Sequence, residues 1–120
     1  MESIIIEGEV IHGRKIGRAL GFPTANMSLE GYNDVARGVY RSEVTIDGTL
    51  YRAMSNVGIR PSVGGKELLL ETHVIGFTGD LYGRYLSVHL VEKLRDEKRF
   101  SSISDLKDQL AKDYHAIVNR

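Results

Sequence analysis

Apolar residues recur in two rhythms along this chain, and the change of rhythm divides it. Up to Glu92 they gather in short runs bounded by glycine, asparagine and aspartate, the pattern of strands and turns. A first strand is predicted from Ile4 to Ile11. Gly38 to Ile46 and Thr49 to Asn56 flank Asp47-Gly48, and an Asp-Gly pair supplies the positive φ angles of a tight type I′ hairpin. Glu67 to Phe77 and Arg84 to Glu92 are predicted to form a second pair, joined through a longer turn at Thr78 to Gly83. Beyond Phe100 the rhythm changes. Ile103, Leu106, Leu110, Tyr114 and Ile117 recur at three- and four-residue steps, the stripe of an amphipathic helix. Ser102 is its predicted N-cap, with Asp105 standing in for the usual Glu of a capping box.

Several strands without crossover helices, followed by one helix, predict a mainly β fold. A small closed antiparallel barrel fits, because closure removes vulnerable edges and the helix can cover an open side. The segment from His12 to about Arg37 is read as one long loop, and loops of that length in small domains are usually functional. No repeat or proline-rich linker interrupts the 120 residues, so residues 1–120 are read as one domain with one core.

Charge narrows the function classes. Sixteen Lys and Arg balance sixteen Asp and Glu, so no global field draws the protein to nucleic acid or an anionic bilayer. Few clustered aromatics also argue against an oligonucleotide-binding barrel. The absence of cysteine excludes disulfides and thiolate metal sites. Ile4-Ile5-Ile6 is too short and too closely flanked by Glu2, Glu7 and Glu9 for a secretory signal, so a cytoplasmic location is expected.

The chemistry concentrates in Gly17-Arg18-Ala19-Leu20-Gly21-Phe22-Pro23-Thr24-Ala25-Asn26. Gly13, Gly17 and Gly21 are spaced by four, which matches neither the common phosphate loop nor the dinucleotide fingerprint. Pro23 biases Phe22 toward an extended conformation, and Thr24 and Asn26 then face the same way if the segment is extended. Two neutral oxygens so placed suit Mg²⁺, with phosphates supplying the remaining ligands; a hydrogen-bonded turn is the plainer alternative. Glu71 stands between Leu68-Leu69-Leu70 and Thr72-His73-Val74-Ile75, where a carboxylate needs a partner or a task. Pointing into a barrel mouth, it could serve as a general base; paired with a nearby Arg or Lys, it would be structural. The histidines at 12, 73, 89 and 115 lack ligand spacing. Arg95-Asp96-Glu97-Lys98-Arg99-Phe100 reads as a solvated connection, unless Phe100 stacks on a flat ligand.

Taken in order, several segments resemble the riboflavin kinase family, free-standing or as the C-terminal part of bifunctional riboflavin kinase/FAD synthetase. They are Gly8-Glu9-Val10 with Gly13, the Gly17 to Asn26 stretch, Gly38-Val39-Tyr40, Asn56-Val57-Gly58-Ile59-Arg60-Pro61, Glu71-Thr72-His73, Asp80-Leu81-Tyr82-Gly83 and Leu94 to Phe100. The resemblance implies a six-stranded antiparallel Greek-key barrel with a C-terminal helix, and transfer of the ATP γ-phosphoryl group to riboflavin, giving FMN and ADP. It implies Thr24 and Asn26 as Mg²⁺ and nucleotide ligands and Glu71 as general base. It places Gly13, Arg18, Val74, Gly76 and Tyr82 at the nucleotide, and Arg95, Lys98 and Phe100 at the flavin. Two departures are Ser62, where the family has Thr, and Val35, where a proline is frequent. No adenylyltransferase domain is present in these residues, so FAD synthesis is not expected of them. The competing expectation is a flavin- or nucleotide-binding regulatory module on the same barrel.

Overall fold

Asp47 and Gly48 take φ angles of 51° and 83°, the left-handed pair that a type I′ turn requires. The chain reverses there between β3 (Gly38–Ile46) and β4 (Thr49–Ser62). The computed structural model describes residues 4–12 and 21–119, apart from the Ser62 side chain. The other elements are β1 (Ile4–Ile11), β2 (Ala25–Ser28), β5 (Gly65–Val74), β6 (Tyr85–Arg95) and a helix, α1 (Ile103–Val118). The strands close into a barrel in the order β1-β2-β5-β4-β3-β6, with every neighbouring pair antiparallel. β3, β4 and β5 form a meander and β6 returns beside β3, which is a Greek key. The expected six-stranded barrel with its C-terminal helix is therefore present.

Three details differ from the expectation. The segment read as one loop contains β2, a four-residue strand too short to show a period and paired with β5 and β1, both distant in sequence or separated by a long connection. The strands predicted as a second hairpin do not pair: β5 lies between β2 and β4, and β6 between β1 and β3. Residues 75–84 instead reach across to β1, where the Gly83 N–H donates to the Val10 carbonyl and the Val10 N–H to that of Arg84. β4 also runs past Asn56 to Ser62. Pro61 is tolerated because β3 pairing ends at Val57, so its missing N–H interrupts no ladder on that side.

Alternation along each strand separates two faces. Inward residues such as Ile6, Met27, Val44, Val57, Leu70 and Val88 fill the barrel and are fully buried. Among them Ser55 Oγ lies 2.7 Å from Ser42 Oγ and 2.8 Å from Thr72 Oγ1, so three buried hydroxyls satisfy one another across β3, β4 and β5. On the outer face Val39 and Met54 pack against Ile117 of α1, whose complete burial contributes about 1.5–3 kcal/mol.

α1 starts where the capping pattern placed it, with Ser102 Oγ accepting from the Asp105 N–H at 3.1 Å. Its body is tied to β6 by a two-pronged ion pair: Arg95 Nε and Nη2 donate to Asp113 Oδ1 and Oδ2 at 3.0 and 2.7 Å. Among the described residues, no helix is long and apolar enough to cross a membrane.

Candidate active site

Residues directly opposite in an antiparallel ladder project to the same face, and one such row encircles the barrel wall. Ile11 pairs with Asn26, Asn26 with Glu71, Glu71 with Asn56, Asn56 with Val39 and Val39 with Arg95. Because Thr72, Leu70 and Val74 fill the interior, Glu71 points outward. Of the two orientations the sequence left open for Glu71, strand parity turns it away from the barrel interior, and a neighbouring arginine, Arg60, pairs with it. Glu71 adjoins Asn26 on one side, and stands three strand spacings, about 14 Å, from Arg95 on the other.

On the Asn26 side, the start of β2 and residues 77–82 enclose an open cleft of about 640 Å³. Thr24, Asn26, Val74 and Tyr82 all line it. Its walls are braced by aromatic contacts. Tyr82 stacks on His12 with ring centroids 3.7 Å apart, and Phe22 meets His73 edge-on at 5.4 Å. His73 Nδ1 lies 2.8 Å from the Pro23 carbonyl oxygen, so a proton on that nitrogen pins the Pro23 turn to β5.

Asn26 is nearly fully buried, and its Nδ2 donates to the Thr24 carbonyl at 3.4 Å. Its Oδ1 is buried without a hydrogen-bond partner among the described residues. An orphaned amide oxygen is costly unless something binds it. A hard cation takes such oxygens as ligands, so Asn26, with Thr24 beside it in the cleft, fits Mg²⁺. Among the described residues no cluster of three or more His, Cys, Asp or Glu offers a rival metal site.

On the other side of Glu71 lies a chain of charges. Arg60 Nε donates to Glu71 Oε1 at 2.8 Å, and Arg60 Nη1 to Glu97 Oε2 at 3.2 Å. Glu97 also accepts from Asn56 Nδ2 at 3.0 Å and from Arg37 Nη2 at 3.0 Å. Burial alone pushes the Glu97 carboxyl upward, but the hydrogen bonds from Asn56 and Arg37, with the Arg60 charge and hydrogen bond, outweigh it. They hold Glu97 below its ordinary value.

The remaining predicted site residues fall in three places. Gly13 and Arg18 lie outside the described residues. Gly76, at φ 84°, makes the turn that ends β5. Arg95 is committed to Asp113, with its Nη1 donating to the Asp96 carbonyl at 2.9 Å, while Lys98 Nζ donates to Gln109 Oε1 at 3.3 Å. Phe100 is half-buried in the connection to α1. Within that connection Asp96, Lys98 and Arg99 are exposed, while Arg95 and Glu97 anchor it to α1 and β4. Sequence reasoning did not name Arg60 as the partner of Glu71, nor Asn56 and Glu97 as the groups beyond it, and it missed His12 as a wall of the cleft. The signal available for the first group was Asn56 and Arg60 at even spacing on one strand.

The sequence matches the flavokinase family, described as riboflavin kinase, over residues 1–119. It is 44% identical over 112 residues to the bifunctional riboflavin kinase/FMN adenylyltransferase of Pseudomonas fluorescens, covering 92% of this chain and 36% of that protein. The chain spans about a third of the length of such bifunctional relatives. A crystal structure described as a macrolide-efflux protein from Streptococcus pneumoniae superposes with a TM-score of 0.82 at 34% identity, over 97% of this chain and 38% of that one. The riboflavin kinase of Trypanosoma brucei shares the fold, with a TM-score of 0.67 at 20% identity over 99% of this chain and 77% of that one. With the family match running nearly end to end over a six-stranded closed barrel, the chain belongs to the riboflavin kinase family.

Proposed function

We propose that this chain catalyses Mg²⁺-dependent transfer of the ATP γ-phosphoryl group to the ribityl 5′-hydroxyl of riboflavin, giving FMN and ADP. The observation that carries the reading is the unpartnered, buried Oδ1 of Asn26 in a cleft beside Glu71. A binding site for the nucleotide is the cleft lined by Thr24, Asn26, Val74 and Tyr82. Thr24 and Asn26 would hold Mg²⁺, which, when bound, neutralises phosphate charge. Glu71 accepts the proton of the attacking hydroxyl on the oxygen that Arg60 leaves free. Its place one strand from Asn26 sets nucleophile and phosphate side by side, as in-line transfer demands.

The test is incubation with riboflavin and ATP·Mg²⁺, followed by chromatographic measurement of FMN. Glu71→Gln is expected to abolish turnover while riboflavin binding persists, and FMN formation near the wild-type rate by that variant rejects Glu71 as base. The Arg60 ion pair favours a second reading, a non-catalytic binding module in which Glu71 is structural; absence of FMN formation by the unaltered protein supports it. Both metal ligands are neutral, so Mg²⁺ affinity is expected to rise when ADP is bound. Equally tight Mg²⁺ binding to the free protein, seen by calorimetry, contradicts the Thr24 and Asn26 assignment.

A further inference from the structure

Arg60 is held at both ends of its guanidinium. Nε meets Glu71 Oε1 at 2.8 Å, and Nη1 meets Glu97 Oε2 at 3.2 Å and the Ile59 carbonyl at 3.0 Å. The three side chains are mostly shielded, with 17% of Arg60, 14% of Glu71 and 21% of Glu97 exposed. Arg60 and Glu97 meet over Gly58. A Cβ on that residue would lie 2.4 Å from both Arg60 Nη1 and Glu97 Oε2, so any side chain there would displace the ends of both. Arg37 and Asn56 fix Glu97 in turn.

A guanidinium is planar and its donors keep fixed relative directions. Pinning Nη1 on Glu97 therefore fixes where Nε points, and with it the rotamer of Glu71. We infer that Arg60 is a positioning residue for Glu71, oriented by Glu97 across the gap at Gly58, so that the segment after β6 sets the geometry of the base. This rests on the reading of Glu71 as general base. Glu97 lies between Arg95 and Lys98, so the relay joins the segment expected at the flavin to the carboxylate expected at its hydroxyl. Glu71 and Glu97 are matched by Arg37 and Arg60, which makes the cluster neutral and lets it hold a fixed shape without a stray charge.

The test compares Arg60→Met, Glu97→Gln, their double variant and Glu71→Gln in the full chain. FMN formation is followed by chromatography, and riboflavin affinity by quenching of riboflavin fluorescence. Arg60→Met keeps the stem length and removes the donors. Because misplacing a reacting group by about 1 Å can cost on the order of 100-fold, kcat is expected to fall at least about tenfold. Riboflavin affinity should stay near wild type. Glu97→Gln should lower kcat less, and add nothing in the Arg60→Met background, since it acts through Arg60. Gly58→Ala, which removes no charge but pushes Arg60 and Glu97 apart, should reproduce the kcat loss and serves if Arg60→Met fails to fold. Unchanged kcat in Arg60→Met or Gly58→Ala, additive losses in the double variant, or a loss of affinity with kcat intact overturns the inference. An inactive Glu71→Gln beside a fully active Arg60→Met refutes the positioning role alone, whereas an active Glu71→Gln refutes the base itself.

Discussion

Replacing Asp113 by alanine should unfasten the helix from the barrel. The Asp113 carboxylate is 5% exposed and accepts both prongs of Arg95, whose side chain is 19% exposed. It also accepts from Gln109 Nε2 at 3.0 Å. Truncating one member of a buried pair costs about 3–5 kcal/mol, because the other charge stays behind unpaired. The remaining water access at Arg95 argues for the lower end. Unfolding entropy near 2.1 cal/mol/K per residue is about 0.25 kcal/mol/K for a chain of this length, so about 3 kcal/mol lowers Tm by about 12 °C. Circular dichroism melts measure it directly. Adding Arg95→Met removes the stranded charge, so the double variant should recover at least about 1 kcal/mol, or about 4 °C, relative to Asp113→Ala. A single-variant shift below about 4 °C, or a double variant less stable than the single one, refutes the reasoning that a stranded guanidinium dominates the cost.

Three further outcomes follow from the same structure. Gly38→Ala should destabilise by about 1–3 kcal/mol in urea titrations, since the residue has φ 148° and a Cβ there would lie 2.7 Å from the Arg95 carbonyl oxygen; a change below about 0.5 kcal/mol contradicts this. Ser55→Ala should cost about 1–3 kcal/mol by leaving the Ser42 and Thr72 hydroxyls unpaired in the interior, and a neutral urea midpoint would show that these hydroxyls find other partners. Glu97 is held below its ordinary value of 4.5, so below that pH the unfolded chain binds the extra proton first. Its contribution is full above 4.5 and is lost as pH falls through the lowered folded value. The stability difference between wild type and Glu97→Gln should shrink on acidification below 4.5; a difference that is constant from neutral pH down to about 3 rejects the assigned hydrogen-bond set.

How much of the site was legible varies residue by residue. Thr24 and Asn26 were readable as a pair because Pro23 constrains the chain before them, and both do line the cleft. Glu71 was readable as an anomaly, a carboxylate in an apolar run. Its direction was not, because parity depends on which face of the strand meets the core, and that is settled by the partners of β5. Its ion partner was likewise hidden: Arg60 sits eleven residues away along the chain, but Glu97 is separated from Arg60 by 37. The run from Arg95 to Phe100 looked solvated for the same reason. Mixed charges within one short segment carry no mark of the distant Asp113 and Arg60 that take up Arg95 and Glu97.

By itself the sequence determined what short-range chemistry controls. Asp47-Gly48 can adopt left-handed φ angles, so the first hairpin turns where it was expected. The apolar stripe from Ile103 to Ile117 and the Ser102 cap suffice for α1, since both act within a few residues. The family's motifs, carried in order along the chain, likewise implied the barrel. Tertiary structure alone decided which strands meet. β2 has four residues and little identity of its own until β5 and β1 pair with it, and β5 and β6 separate because closure inserts other strands between them. It also decided that Asn26, Glu71 and Asn56 share one outward row, with Arg60 and Glu97 meeting over Gly58. The physical reason is that backbone preferences act over neighbouring residues, whereas pairing, burial and ion contacts depend on segments that closure of the barrel brings together.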